Sequence, residues 1–334
     1  MIMENTIGQE FILQVIGSSH GEYVGGIIKN CPKGISIDYD LIKKDIDRRR
    51  PKLFGTPRKE EDSVQFLSGI TNNQTNGEDI KFISLNKNVR KQDYDRFKGY
   101  FRPSHADYPY FILFKEDDLR YKDMASARMF LSVVIAGGIA KMFLKEKGIR
   151  VSAIVSQIGG IDYIKDRDKA EELLKKVSNQ KDTIGGKIRC EIKGIKAGLG
   201  DPIFNKISAM LAKNMMSIPS ATSFSIGDIE NRDALLGSED IDEWNSDFTT
   251  KTNHCGGINA GITNGMPVVF YVGLHAIHTL SQPMTLINKE GQRKQMLIEG
   301  RHDICQVLRT PVIVESLAAM TIMDFIMLKN REKE

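Results

Sequence analysis

Residues 125–147 read ASARMFLSVVIAGGIAKMFLKEK and carry the clearest structural signal in this chain. Apolar side chains occupy almost every side of the predicted helix from Phe130 to Leu144, and Gly148 follows as a stop signal. A helix that is apolar all round belongs in the interior of a protein. A second mostly apolar helix is predicted from Thr310-Pro311 through Met327. We expect other elements to cover both helices.

Strand patterns occur on both sides of the first helix in the sequence. Phe11–Ile16 and Val24–Ile28 are short apolar runs, Lys187–Ile195 alternates apolar and charged residues, and Val268–Leu274 is apolar throughout. Strands and helices mix without regular βαβ alternation, which favours a layered α+β sandwich over a doubly wound sheet. No Pro/Ser linker or repeat divides the chain, so we expect a single domain over residues 1–334.

Two shorter helices are predicted from their capping residues. Asp38 or Asp40 would cap the first, which Pro51 ends, with arginines at 48–50 in its last turn. Successive helical residues lie ~100° apart, so at most one of these arginines faces a common site while the others meet solvent or ion-pair partners. Asp201-Pro202 would open the second helix with a cap and an N1 proline.

Composition excludes several classes of protein. The 47 basic and 43 acidic residues leave a net charge of +4, too small to indicate nucleic-acid binding. No stretch approaches the ~20 uncharged apolar residues of a membrane span, and the start lacks signal-peptide features, so we expect a cytoplasmic protein without a membrane partner. The thiols, Cys31, Cys190, Cys255 and Cys305, have neither disulfide-scaffold nor metal-ligand spacing, so no metal site is expected.

Histidines supply the first chemical signal, because all six lie in segments that also contain Gly, Asn, Pro or Asp: His20, His105, His254, His275, His278 and His302. His105 lies close to Arg102 and Asp107, a combination that suits a general acid. A solvated polar turn explains the same residues equally well. Residues 301–303 (RHD) have the same composition, and the same two interpretations apply to them.

Arginines supply the second signal, since planar guanidinium groups suit phosphate and carboxylate anions. The candidates are Arg48, Arg49, Arg102, Arg128 and Arg301. The glycine-rich stretch 253–261 matches neither a dinucleotide-binding nor a P-loop motif. The residues alone therefore indicate an enzyme or a binder of a small polyanion that uses histidines.

A series of motifs adds a family resemblance over almost the whole chain. In order they are GSSHG at 17–21, DRRRP at 47–51, TPRKEED at 56–62, LSGI at 67–70, FRPSHADYPY at 101–110, SAR at 126–128, AGLGDPIF at 197–204, TNHCGGINAGITNG at 252–265 and GRHDIC at 300–305. The chain resembles the chorismate synthase family in these motifs and in their order.

This resemblance implies a β-α-β sandwich fold and the last step of the shikimate pathway. There 5-enolpyruvylshikimate 3-phosphate loses phosphate and a ring hydrogen by 1,4-anti elimination to give chorismate, assisted by a dissociable reduced FMN. It also implies a homotetramer. Whether an external flavin reductase or this chain, with NADPH as reductant, reduces the flavin stays open.

By motif position the resemblance also implies site residues. His20 would protonate the leaving phosphate, His105 would balance charge at the flavin, and Ser19 with Asp303 would relay a proton. Substrate-binding residues would be Arg49, Arg102, Arg128 and Arg301. Flavin-binding residues would be Ser126, Ser220, Ala260, His275, Thr279 and Arg301.

Departures from the family pattern keep a second function open. Residues 120–130 lack the family's run of glycines, His275 stands where the family has lysine, and Ala260 stands where it has glycine. Ser18 and Ile304 also differ from the family's glutamate and proline. The alternative is a paralogue that binds flavin or a polyanion without the reaction, or that acts on an altered substrate.

Overall fold

A computed structural model describes residues 5–50, 54, 62–86, 99–115, 124–228, 232–298 and 303–331. In chain order its strands are β1 (Thr6–Ile7), β2 (Ile12–Gly17), β3 (Tyr23–Lys29), β4 (Gln65–Phe66), β5 (Ile70–Thr71), β6 (Gln74–Thr75), β7 (Ile80–Leu85), β8 (Tyr100–Phe101), β9 (Arg150–Ile158), β10 (Ile161–Asp162), β11 (Gly186–Lys193), β12 (Ala221–Ile226), β13 (Ile258–Asn259), β14 (Ile262–Thr263), β15 (Val268–Leu274), β16 (Pro283–Asn288) and β17 (Arg293–Leu297). The helices are α1 (Tyr39–Arg49), α2 (Asp107–Phe114), α3 (Phe130–Glu146), α4 (Arg167–Asn179), α5 (Ile207–Met216) and α6 (Pro311–Arg331). Short 3-10 helices cover Ala127–Met129, Arg232–Ala234 and Gln306–Arg309.

Two five-stranded sheets enclose a layer of helices. The first sheet has the order β1-β2-β3-β7-β4 and the second β10-β9-β11-β15-β12, and every neighbouring pair is antiparallel. Helix α3 contacts β2 and β3 of the first sheet and β9 of the second, while α6 packs along α3 and against β9 and β11. The fold is therefore an α+β structure of the expected β-α-β sandwich type.

The two central helices pack closely because small residues lie at their contact. A Cβ atom on Gly137 of α3 would lie 2.2 Å from the Cβ of Ser316 on α6. Helix α3 also meets the first sheet through Ser132, whose hydroxyl donates to the carbonyl of Gly25 at 2.7 Å. Apolar side chains of both sheets and both helices form one continuous buried cluster.

Charged residues are buried at one side of this helical layer. Arg48 of α1 donates to both carboxylate oxygens of Glu315 on α6 at 2.6 Å. Lys141 of α3 bonds to Glu315 and to Asp45 of α1 at 2.8 Å each. The amide of Ala153 on β9 donates to the same glutamate at 3.0 Å. These bonds tie three helices and the second sheet together and satisfy charges that would otherwise be costly to bury.

Two helical segments, Ala127–Glu146 and Pro311–Arg331, are long and apolar enough to cross a membrane by length and composition. Their most apolar windows are 83% and 78% buried inside the protein. Since those side chains already pack against the two sheets, core position accounts for their apolar character.

Sequence predictions of elements are confirmed in most places and wrong in one. Asp38, not Asp40, caps α1 by accepting from the amide of Leu41 at 2.9 Å. The helix predicted at Asp201-Pro202 begins instead at Ile207, whose amide donates to the carbonyl of Gly261 at 2.9 Å. Residues 202–205 form bends and a turn, and the contact of Ile207 with a distant loop fixes where the helix starts. The last helix continues beyond Met327 to Arg331.

Candidate active site

The turn at residues 17–21 joins β2 to β3 and presents two predicted site residues. Gly17 has a φ of 84°, and a Cβ there would lie 2.3 Å from the carbonyl oxygen of Tyr23, so this tight turn requires glycine. Ser19 is buried, and its Oγ lies 3.0 Å from Nδ1 of His20. The imidazole of His20 is thus held beside the hydroxyl of Ser19, in the turn that connects β2 to β3.

Two predicted substrate-binding arginines converge on one carboxylate. Nη2 of Arg49 donates to Oδ2 of Asp62 at 2.8 Å, and Nη2 of Arg128 donates to Oδ1 at 2.7 Å. All three side chains are at most 6% exposed. Burial alone would raise the pKa of the Asp62 carboxyl, but the hydrogen bonds and charges of Arg128 and Arg49 lower it below its usual value. Asp62 is therefore ionised and holds both guanidinium groups in fixed orientations.

The side chain of Asn86, just after β7, connects this ion cluster to the turn. Its Oδ1 accepts from Nε of Arg128 at 2.6 Å. Its Nδ2 donates to the carbonyls of Ser18 at 3.0 Å and Gly21 at 2.9 Å. We call the resulting group the arginine cluster; its members are Ser19, His20, Arg49, Asp62, Asn86 and Arg128.

The two arginines that flank Arg49 in the sequence pair with carboxylates other than that of Asp62, as the different directions of successive helical residues predict. Arg48 pairs with Asp45 at 3.0 Å and with Glu315, and Arg50 pairs with Asp47 at 2.8 Å. Arg50 also donates from Nη2 to the backbone carbonyl of Asp62 at 3.2 Å, whereas Arg49 donates to the Asp62 carboxylate.

A second group, the histidine cluster, consists of Ser104, His105, His275, His278 and Thr279. Nε2 of His105 lies 2.5 Å from Oγ1 of the buried Thr279. Nδ1 of His278 donates to the carbonyl of Ser104 at 3.0 Å. The ring of His278 stacks on that of His275, with centroids 4.1 Å apart and planes 9° apart. Two predicted flavin-binding residues, His275 and Thr279, therefore lie with the predicted flavin-side acid.

Backbone and side-chain hydrogen bonds connect the segments of Ser220 and Asp303 to the segment that carries the histidine cluster. The amide of His275 donates to the carbonyl of Ser220 at 3.0 Å. The hydroxyl of Thr183 donates to the carbonyl of Ile277 at 2.6 Å, while the next amide, that of Ile184, donates to the carbonyl of Ile304 at 2.9 Å. Asp303, adjacent to Ile304, accepts from Nη2 of Arg309 at 2.5 Å.

Ser220 has an unusual environment. Its φ is 70°, a left-handed conformation that is uncommon outside glycine. Its hydroxyl is buried and has no hydrogen-bond partner within the part of the chain that the structure describes. Buried hydroxyls are normally hydrogen-bonded, and this one is available to a ligand atom that comes within reach.

Three other predicted site residues are described and belong to neither cluster. Arg102 forms a bidentate pair with Asp107 at 2.8 and 2.9 Å, so its fork is directed at the start of α2. Ser126 caps the 3-10 helix that leads into α3, and its Oγ accepts from the amide of Arg128 at 3.3 Å. Ala260 lies in the exposed turn between β13 and β14, and within the described segments it makes no hydrogen bond to either cluster. Arg301 lies outside the described residues, as does His302.

Comparisons with known proteins identify the family. The family model described as "Chorismate synthase" matches residues 11–327. The chain is 39% identical to the chorismate synthase of Parabacteroides distasonis, with 98% of this chain and 99% of that protein covered. It is 40% identical to the chorismate synthase of Bacteroides thetaiotaomicron, with 98% of each covered. This chain belongs to the chorismate synthase family.

A solved structure agrees with this assignment at the level of the fold. The crystal structure titled as chorismate synthase superimposes with a TM-score of 0.75 at 23% identity, covering 97% of this chain and 93% of that one. The sandwich of two antiparallel sheets around α3 and α6 is therefore a chorismate synthase fold.

Sequence reasoning missed two residues of the arginine cluster in this chorismate synthase homologue. Asp62 ends the motif TPRKEED, but its acidic neighbours Glu60 and Glu61 gave no reason to single it out. Asn86 follows β7 in the stretch SLNKN, where an asparagine reads as an ordinary strand end. The roles of Asp62 and Asn86 depend on hydrogen-bond partners that are distant in the sequence, so only the structure identifies them.

Proposed function

We propose that this chain catalyses the 1,4-anti elimination of phosphate and a ring hydrogen from 5-enolpyruvylshikimate 3-phosphate to give chorismate, with reduced FMN bound. It would thus be a carbon–oxygen lyase of aromatic amino acid biosynthesis. One observation carries the proposal beyond family membership: Arg49 and Arg128 converge on Asp62 beside the turn that holds Ser19 and His20.

The arginine cluster suits an anionic substrate that releases phosphate. Arg49 and Arg128 bring two guanidinium groups together in a buried setting, where electrostatic attraction for an anion is stronger than in water. Guanidinium forks bind phosphate and carboxylate oxygens through paired, charge-assisted hydrogen bonds. Because Asp62 already orients Arg49 and Arg128, little reorganisation is needed when the anion arrives.

His20 is assigned as the acid that protonates the departing phosphate. Its position beside Ser19, with 3.0 Å between Oγ and Nδ1, holds the ring while the proton is transferred. Ser19 and Asp303 are assigned to relaying the proton from the ring hydrogen. Arg102 and Arg301 are assigned to further anionic groups of the substrate.

The residues around the histidine cluster fit a flavin. The buried hydroxyl of Ser220, which has no hydrogen-bond partner among the described residues, offers a hydrogen bond, and His275 and Thr279 lie in the same region. With Ser126, Ala260 and Arg301, these residues are proposed to hold the FMN. Bound reduced FMN would supply transient electron density to the substrate during the elimination, without net oxidation. His105, held 2.5 Å from Thr279, is assigned to balancing the charge of the reduced ring.

The decisive experiment is anaerobic. Purified protein, reduced FMN and 5-enolpyruvylshikimate 3-phosphate are mixed, and chorismate absorbance and phosphate release are followed together, with flavin titration alongside. Stoichiometric chorismate and phosphate support the proposal. Tight binding of flavin or substrate without product would support the non-catalytic or altered-substrate paralogue instead. If neither the flavin nor the substrate binds, the assignment of this site is wrong.

Assembly and partners belong to the same proposal. The chain is proposed to act in the cytoplasm as a homotetramer on a small-molecule substrate, without nucleic-acid or membrane partners. Its flavin would be reduced by an external flavin reductase or by the chain itself with NADPH. Light scattering gives the oligomer size, and anaerobic NADPH oxidation by the purified protein with FMN separates the two routes of reduction.

A further inference from the structure

Asn86 makes contacts on both sides of its amide group. On one side, Nδ2 donates to the carbonyls of Ser18 and Gly21 at 3.0 and 2.9 Å and lies 3.5 Å from that of Ser19. On the other side, Oδ1 accepts from Nε of Arg128 at 2.6 Å. Its backbone amide also donates to the carbonyl of Glu22 at 2.8 Å.

The partners dictate both the residue type and its orientation. Backbone carbonyls only accept hydrogen bonds and a guanidinium only donates them, so the bridging group needs a donor and an acceptor at fixed spacing. The amide of asparagine supplies both. Aspartate lacks the donors, leucine lacks both functions, and glutamine is one methylene longer.

We propose that Asn86 is a positioning residue that sets the turn carrying Ser19 and His20 at a fixed distance from Arg128. This inference rests on the proposed function, since it matters for catalysis only if His20 protonates a group that Arg128 helps to bind. The proposed acid, His20, lies on the β2–β3 turn, whereas the anion-binding Arg128 lies in the segment before α3. The Asn86 amide joins the two directly, and displacements of about 1 Å in such arrangements cost up to roughly 100-fold in rate.

Two variants of Asn86 and a matched control test the kinetic consequence. Asn86→Ala removes both halves of the bridge, whereas Asn86→Asp keeps an acceptor for Arg128 and loses the donors to the turn. We expect kcat per folded site to fall by roughly 10- to 100-fold in both, with KM of Asn86→Ala changed by less than about threefold. Asn76→Asp, in the turn that follows β6, should keep kcat within about twofold of wild type.

Three kinetic results would overturn the inference. One is a kcat of Asn86→Ala close to that of wild type. Another is wild-type kcat in Asn86→Asp, which would show that the bonds to the turn are dispensable. The third is a loss of activity that parallels a loss of folded protein in thermal unfolding, which would make the role merely structural.

Hydrogen exchange tests the bridge without using activity. The amides of Ser18 and Gly21 donate to the carbonyls of Tyr23 and Ser18, so their exchange reports on the order of the turn. Asn86→Ala should speed exchange in residues 18–22 by at least roughly fivefold while exchange in β11 stays unchanged. Unchanged exchange in the turn would overturn the inference. A wild-type protein that forms no chorismate would instead refute the proposed function, and the exchange data would still decide whether Asn86 holds the turn.

Discussion

Arg128 and Asp62 form a buried ion pair in which Nη2 of the arginine lies 2.7 Å from Oδ1 of the aspartate. Their side chains are 6% and 3% exposed, so water cannot replace the interaction in the folded protein. Asp62 also pairs with Arg49 at 2.8 Å, so one carboxylate contacts two buried cations.

Asp62→Asn should destabilise the protein by about 3–5 kcal/mol, because it leaves buried guanidinium charge without its counter-ion. Urea denaturation followed by circular dichroism measures this loss. Asp166→Asn is the control, since Asp166 pairs with Lys169 at 3.3 Å in an exposed setting and such pairs contribute little. A small effect at Asp62 would mean that solvent or another carboxylate compensates the arginines.

Lowering the pH should remove the contribution of Asp62 to the stability of the folded protein. Its pKa is below the usual 3.8 in the folded state, since the hydrogen bonds and charges of Arg128 and Arg49 outweigh the opposing effect of burial. A carboxyl with a lowered folded pKa stabilises the protein above the unfolded pKa, and that stability is lost as pH falls below 3.8 through the lower folded value. Urea midpoints measured between about pH 2.5 and 6 should therefore fall more steeply for wild type than for Asp62→Asn. Parallel pH profiles would contradict the assigned ionisation.

Gly137→Ala should separate the two central helices. Its new Cβ would lie 2.2 Å from the Cβ of Ser316, and overpacking of this kind typically costs about 1–3 kcal/mol or more. The adjacent Gly138→Ala is the matched control, because its Cβ would lie 3.1 Å from the flexible Cγ1 of Ile42 and 4.0 Å from its Cα. Alanine also favours the helix over glycine by about 1 kcal/mol. Denaturation should show a clear loss for Gly137→Ala and little change for Gly138→Ala. Equal effects would mean that α3 and α6 adjust freely.

His20→Ala and His105→Ala should each lower kcat by ~10²–10⁴-fold while the fold stays intact, as loss of a general acid does. Anaerobic chorismate formation, together with circular dichroism, measures both properties. His254→Ala, outside both clusters, should keep kcat within about threefold of wild type. Unchanged turnover in either of the first two variants would remove that histidine from the mechanism.

Cysteine reactivity offers a further test of the core. All four thiols are free and buried, and burial raises the pKa of Cys31 to about 12 and that of Cys305 to about 11. Because the thiolate is the reactive form, iodoacetamide at neutral pH should label native protein very slowly. Mass spectrometry should find four labels after denaturation in guanidinium. Rapid labelling of Cys31 or Cys305 in the native state would contradict their burial.

The sequence predicted those features that depend on neighbours along the chain. The apolar helices α3 and α6 and the buried strand β15 follow from local patterns and were confirmed, and of the two caps predicted for α1, Asp38 and Asp40, the structure shows Asp38. Helical geometry predicted that at most one of three adjacent arginines faces a common site, the family resemblance pointed to Arg49, and neither indicated its partner. Asp62 and Asn86 gain their roles from residues at least 13 positions away, and the start of α5 depends on Gly261, so no local pattern indicated them.

Asp324 of α6 accepts hydrogen bonds from the amides of Gln9, Glu10 and Phe11 at 2.7–3.1 Å. Partners separated by more than 310 positions give the fold a high contact order, and closing so long a loop slows folding. During synthesis the segment that leads into β2 must wait for nearly all of the chain before its amides are satisfied. The turn between β1 and β2 can therefore dock on α6 only after translation has reached the last helix.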